Sequence, residues 1–82
     1  MSKEEIIKKT NSFLSEEFEV DIDTIRPDAV LKDTLGLDSL DYVDLVVTVE
    51  ANFGVKLGEA DFVGLSTFND FYRLIERKLN NE

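Results

Sequence analysis

The stretch that decides the fold is Asp38-Ser39-Leu40-Asp41-Tyr42-Val43-Asp44-Leu45-Val46-Val47-Thr48-Val49-Glu50-Ala51-Asn52-Phe53-Gly54. By propensity alone its interior reads as a buried strand, because Tyr42, Val43, Val46, Val47, Thr48 and Val49 are β-branched or aromatic. Its ends read otherwise. Asp38 can cap the first amides of a helix, Asp41 stands three residues later, and Gly54 sits where a helix takes its left-handed closing residue. Fifteen enclosed residues are also long for a strand, so length and caps predict a helix over 39–53. Positions 40, 43, 46, 47 and 53 are its apolar stripe, Asp41, Asp44 and Glu50 are its wet side, and such a helix would lie at the centre of a bundle.

Toward the N-terminus, residues 19–37 carry turn formers (Asp21, Asp23, Pro27, Asp28, Gly36) interleaved with the isolated apolar residues Val20, Ile22, Ile25, Val30, Leu31, Leu35 and Leu37. Nineteen residues is a long connection for a small domain, and its apolar anchors predict an ordered loop pinned to the core. Asp21 and Asp23 are read as loop solvation, since no full calcium-loop pattern surrounds them. Before the loop, Ser2-Lys3-Glu4-Glu5 is a capping box, and Ile6, Ile7, Phe13, Leu14 and Phe18 follow at helical spacing, predicting a helix over 3–18. Toward the C-terminus, Asp61-Phe62-Val63 can form a single turn. Thr67-Phe68-Asn69-Asp70 repeats the capping logic, and Phe68, Phe71, Tyr72, Ile75 and Leu79 continue a helix to about Leu79. The expectation is one all-α domain over 1–82: three main helices, one short helix and a long ordered first loop.

Composition bounds what such a domain can do. At 43% hydrophobic and 33% charged, the 82-residue chain has the balance of a small globule. Its longest aliphatic runs, Ala29-Val30-Leu31 and Leu45-Val46-Val47, are far shorter than a membrane span or a signal core, which makes a cytoplasmic location the expectation; a monomer is expected as well. Without Cys or His there is no disulfide framework, no Cys/His zinc site, no thiol nucleophile and no Ser-His pair. A formal charge of -9 repels phosphate backbones and anionic lipid, so nucleic acid and membrane are disfavoured and basic proteins are the natural partners.

One stretch is distinctive. Between Asp33 and Val55 there are five acidic residues and no basic one, and Ser39 stands at the start of the helix that carries most of them. A hydroxyl there lies at the positive end of the helix dipole, where an attached phosphate is well placed. Physics alone favours an ordinary first-turn serine, since that is the commoner case and Ser66 in Leu65-Ser66-Thr67-Phe68 is nearly as good a site.

The run Leu35-Gly36-Leu37-Asp38-Ser39-Leu40-Asp41, followed by Val43-Asp44-Leu45-Val46, resembles the signature of acyl carrier proteins, in which the serine of Asp-Ser-Leu bears phosphopantetheine. The resemblance extends over the whole chain in the order and length of its helices. It implies a four-helix carrier modified at Ser39 by a phosphopantetheinyl transferase, with coenzyme A as donor, magnesium screening the charge and Asp38 helping to hold that metal in the complex. The free protein would hold no metal. It also implies that the protein is not an enzyme but a covalent substrate, carrying acyl groups as thioesters in fatty-acid or specialised lipid or polyketide-type biosynthesis.

By the same resemblance, Asp38, Leu40, Asp41, Asp44 and Glu50 dock on basic patches of acyl-transferring, condensing and modifying enzymes. Val43, Val46, Val47, Leu57, Phe62, Leu65 and Phe68 would line an acyl pocket. The chain departs from the family pattern at Tyr42, where a small residue is common, at Ala51 and Asn52 in place of acids, and at Gly58 in place of proline. Peptidyl and D-alanyl carriers resemble it less at the serine motif. The alternative from another class is an acidic helical adaptor that binds a basic protein unmodified.

Overall fold

A computed structural model describes residues 2–80. Helix α1, Lys3–Phe18, begins as its sequence predicts: the Ser2 hydroxyl accepts from the Glu5 amide at 3.2 Å while the Ser2 amide donates to Glu5 Oε1 at 3.3 Å. Ile6, Thr10, Phe13 and Leu14 form its buried face, with Ile7 and Phe18 packed at the margin. The helix closes on Glu19, a non-glycine residue at φ 54°, and the Ser15 hydroxyl reinforces the turn by donating to the Val20 carbonyl at 2.6 Å.

The long connection is ordered but not wholly a loop. A 3-10 turn, Ile22–Thr24, is capped by Asp21, whose Oδ1 accepts from the Asp23 amide. Residues Leu31–Leu35, within the expected loop, form a short helix, α2. Only five residues long, it exists because Leu31 and Leu35, one turn apart, are both buried. Ile25 and Leu37 are buried as anchors, whereas Ile22 and Val30 are exposed.

Helix α3 spans Ser39–Phe53 and stops at Gly54, φ 71°. The strand alternative is excluded, and the expected apolar stripe holds only at Val46 and Phe53. Leu45 and Val49 are fully buried, with Tyr42, Val46 and Phe53 packed beside them, while Leu40, Val43 and Val47 are 76%, 61% and 59% exposed. Positions 42, 45, 46, 49 and 53 are the face that a 3.6-residue period aligns; 40, 43 and 47 fall on the opposite side. Helix α3 therefore lies on the flank of the bundle rather than at its centre, and the main helix pair is α1 with α4.

Helix α4, Phe68–Asn80, contributes Phe68, Phe71, Tyr72, Leu74 and Ile75 to the core, and the Tyr72 hydroxyl donates to Asn11 Oδ1 on α1. Its first amides are satisfied by the distant connection: Phe68 N donates to the Ala29 carbonyl at 3.1 Å and Asn69 N to that of Pro27 at 3.0 Å. In return Leu31 N donates to the Ser66 carbonyl at 2.9 Å. The expected single turn at Asp61-Phe62-Val63 is a 3-10 turn at Glu59–Phe62. The all-α expectation with three main helices holds, and the short member is α2.

Candidate functional site

The site begins with how Ser39 is presented. Gly36 ends α2 at φ 65°, the Leu37 amide donates back to the Lys32 carbonyl, and the Leu37 side chain is buried. These anchors fix the strand of chain that delivers Asp38. Asp38 Oδ1 then accepts from the amides of Leu40 and Asp41 at 2.9 and 3.1 Å, and Asp41 Oδ2 accepts from the Asp38 amide at 3.0 Å. The cap is built from these two acids, leaving the Ser39 hydroxyl outside it and exposed at the first helical position.

Beside Ser39 lies a cavity of about 330 Å³ lined by Ser39, Tyr42, Glu59, Phe62 and Val63. A second of about 140 Å³ shares Ser39, Tyr42, Glu59 and Phe62 and adds Val43 and Val46. Tyr42 and Phe62 meet edge to face across this region, ring centroids 5.2 Å apart. The 3-10 turn that supplies Phe62 is fastened by Asp61, whose Oδ2 accepts from the Gly58 amide at 2.8 Å and pairs with Lys78 Nζ on α4 at 3.2 Å. The Gly58 amide, and after it Lys78, holds the Asp61 carboxyl below the ordinary aspartate range despite partial burial.

Ser66, the other serine at a helix start, differs in two ways. Its carbonyl accepts from Leu31 and its amide donates to Asp70 Oδ2 at 3.2 Å, so its backbone is part of the seam between α4 and the long connection. It also lines neither of the two cavities beside Ser39.

Comparisons with known proteins identify the family. The family model described as a phosphopantetheine attachment site matches residues 12–75. An acyl carrier protein of Thermotoga maritima is 47% identical over 78 residues, covering 95% of this chain and 96% of its own. The chain belongs to the acyl carrier protein family. Acyl carrier proteins of Prochlorococcus marinus and Cyanidium caldarium are 36% and 33% identical, over 95% and 100% of this chain and 98% and 95% of theirs. The role is thus that of an acyl carrier in acyl biosynthesis, with phosphopantetheine as the group it carries.

The residues present fit that group: an exposed hydroxyl at a helix start opens beside a concavity walled by Tyr42, Phe62 and Val63. Of the pocket residues expected from sequence, Val43, Val46 and Phe62 line the space beside Ser39. Val47 is exposed, Leu57 and Phe68 are buried in the core, and Leu65 lines a different cavity. Tyr42, Glu59 and Val63 line the site without having been expected there. The last two fall in an aperiodic stretch that no pattern flags.

Of the docking residues, Leu40, Asp44 and Glu50 are exposed on the outer side of α3, joined there by Val43 and Val47. Asp41 is half-buried and committed to the cap, and, two residues from Ser39, it points to the other side of the helix. Among the described residues no three acidic side chains cluster as a metal site, and no helix is long and apolar enough to cross a membrane.

Proposed function

We propose that Ser39 is the attachment point of the phosphopantetheine arm and that α3 presents the carrier to its enzymes. The observation that carries the reading is the exposed Ser39 hydroxyl outside the Asp38/Asp41 cap and at the mouth of the cavity walled by Tyr42, Phe62 and Val63. In a transferase, that hydroxyl forms a bond to the β-phosphorus of coenzyme A as the pyrophosphate bond breaks, releasing adenosine 3′,5′-bisphosphate and a proton. The N-terminal dipole of α3 favours the phosphodiester that results. When attached, the arm supplies the thiol that the cysteine-free chain lacks.

The outer side of α3 is the docking surface in this reading, with Asp44 and Glu50 as steering charges and Leu40, Val43 and Val47 as an apolar contact between them. Exposed charges of this kind raise association rates more than they tighten complexes, which suits a carrier that must change partners. Asp38 and Asp41 act there as positioning residues for Ser39.

The test is intact mass after incubation with a phosphopantetheinyl transferase and coenzyme A. The parent gains one arm and Ser39→Ala gains none, while its melting changes little, since an exposed first-turn substitution is usually worth within about ±0.5 kcal/mol. Uptake by Ser39→Ala moves the site elsewhere, Ser66 first. No uptake by the parent with several competent transferases favours the unmodified adaptor.

A further inference from the structure

A third cavity, of about 230 Å³, lies on the other side of the 59–65 segment from Ser39, between that segment and α4. Asp61, Gly64, Asp70, Arg73 and Arg77 line it, and it differs in chemistry from the space beside Ser39. Among the described residues neither carboxylate makes an ion pair with an arginine, although Arg77 acts on Asp61 and Arg73 on Asp70 through charge, and the hydrogen bonds of both go elsewhere. Asp61 accepts from Gly58 and pairs with Lys78, while Asp70 Oδ2 accepts from the amides of Ser66 and Thr67 at 3.2 Å each.

The two arginines are exposed, stand four residues apart on one side of α4, and make no ion pair among the described residues. In a chain with twice as many acids as bases, that pairing is unusual. Two guanidiniums one turn apart repel each other, a cost that an anion between them offsets, and their planar forks match a carboxylate. Val63, 83% exposed, borders both this cavity and the one beside Ser39. A protein that covers the mouth at Ser39 and continues past Val63 would reach Arg73 and Arg77.

We propose that Arg73 and Arg77 receive an Asp or Glu side chain of the enzyme that docks over Ser39, so that recognition uses contacts of both signs. The inference rests on Ser39 being the attachment point. Its value to the carrier is orientation: a negative α3 alone can meet a basic patch in many rotations, whereas an opposite-signed contact beyond Val63 fixes one.

The experiment compares rates of mass gain with a phosphopantetheinyl transferase and coenzyme A for the parent, Arg73→Glu/Arg77→Glu, and Lys3→Glu/Lys8→Glu on the exposed side of α1. The two double variants change net charge equally. General steering by a basic enzyme makes both faster than the parent. The proposal expects the α4 variant to load about three- to tenfold more slowly, the α1 variant no more slowly than the parent, and Arg73→Lys/Arg77→Lys between the α4 variant and the parent. Reversal of one transferase acid to Arg should restore loading of the α4 variant selectively.

Should Arg73→Glu/Arg77→Glu lower helix content, Arg73→Gln/Arg77→Gln replaces it with the same expected direction. Equal rates for both double variants overturn the proposal. So does a rise in melting temperature of the parent, and not of the α4 variant, with inorganic phosphate at fixed ionic strength while loading is unaffected, which makes the cavity a small-anion site. A parent that gains no mass overturns the Ser39 reading first and this one with it, whereas normal loading of parent and α4 variant alike removes this one alone.

Discussion

Asp38 and Asp41 close each other's backbone: the Asp38 carboxylate takes the Asp41 amide at 3.1 Å, and the Asp41 carboxylate takes the Asp38 amide at 3.0 Å. Both acids belong to the one-signed stretch that reads as a docking face, yet their side chains are spent on starting α3 at Ser39. Asp44, one turn on and exposed, has no such task in the cap.

The two roles separate by mutation. Asp38→Ala should lower stability by about 1 kcal/mol through loss of the cap, and Asp41→Lys should also lower the melting temperature. Asp44→Lys should not lower the melting temperature, while slowing loading by a transferase at low ionic strength, with the difference shrinking as salt rises. Thermal melts by circular dichroism beside loading rates decide it; equal stability losses in Asp41→Lys and Asp44→Lys refute the division.

Thr10 is fully buried on α1 and its hydroxyl has no hydrogen-bond partner among the described residues. A buried, unsatisfied polar group costs about 1–3 kcal/mol. Thr10→Val, of nearly the same shape, should therefore raise stability by about 1 kcal/mol in urea unfolding with the slope unchanged. A loss of stability would show that the hydroxyl is satisfied in solution.

Tyr42 and Phe62, edge to face at 5.2 Å, join α3 to the 3-10 turn beside Ser39. Aromatic pairs of this kind couple by about 0.5–1.5 kcal/mol beyond their burial. A double-mutant cycle with Tyr42→Leu and Phe62→Leu should return a coupling of that size. Additive losses would mean that the two rings do not couple and that the turn is held by its other contacts, Asp61 with Gly58 and Lys78 among them.

Acid should act on the helix starts. Amides of Thr67 and Ser66 hold Asp70 below its ordinary range, as the amide and hydroxyl of Ser2 hold Glu5. A depressed folded-state value means that the contribution is present above the unfolded value, about 3.9 for Asp, and is lost as pH falls through the folded one. The melting temperature of Asp70→Asn relative to the parent should therefore be lower at neutral pH, the gap closing in strong acid. At neutral pH, salt should stabilise the parent by screening its charge of -9. A gap independent of pH, or melting indifferent to salt, contradicts the corresponding statement.

Helix starts were legible in the sequence because a cap is a local object: Ser2 with Glu5, Asp38 with Asp41, and Thr67 with Asp70 each meet within three residues, and all three pairs form in the structure. The attachment candidate Ser39 was legible for the same reason, as part of a contiguous motif. The burial of α3 was not. Leu40, Val43 and Val47 are as apolar as Leu45 and Val49, and only the placement of α1 and α4 decides which set meets the core.

The short α2 likewise needs burial of Leu31 and Leu35 against distant residues, since five residues do not hold a helix by propensity. The seam from Phe68 and Asn69 to Ala29 and Pro27 joins segments some forty residues apart, and no local pattern announces it. The cavities follow the same logic. Their walls bring α3 or α4 to the aperiodic 59–65 segment, and that meeting exists only once Asp61 has been fastened to Lys78 and Phe62 has found Tyr42.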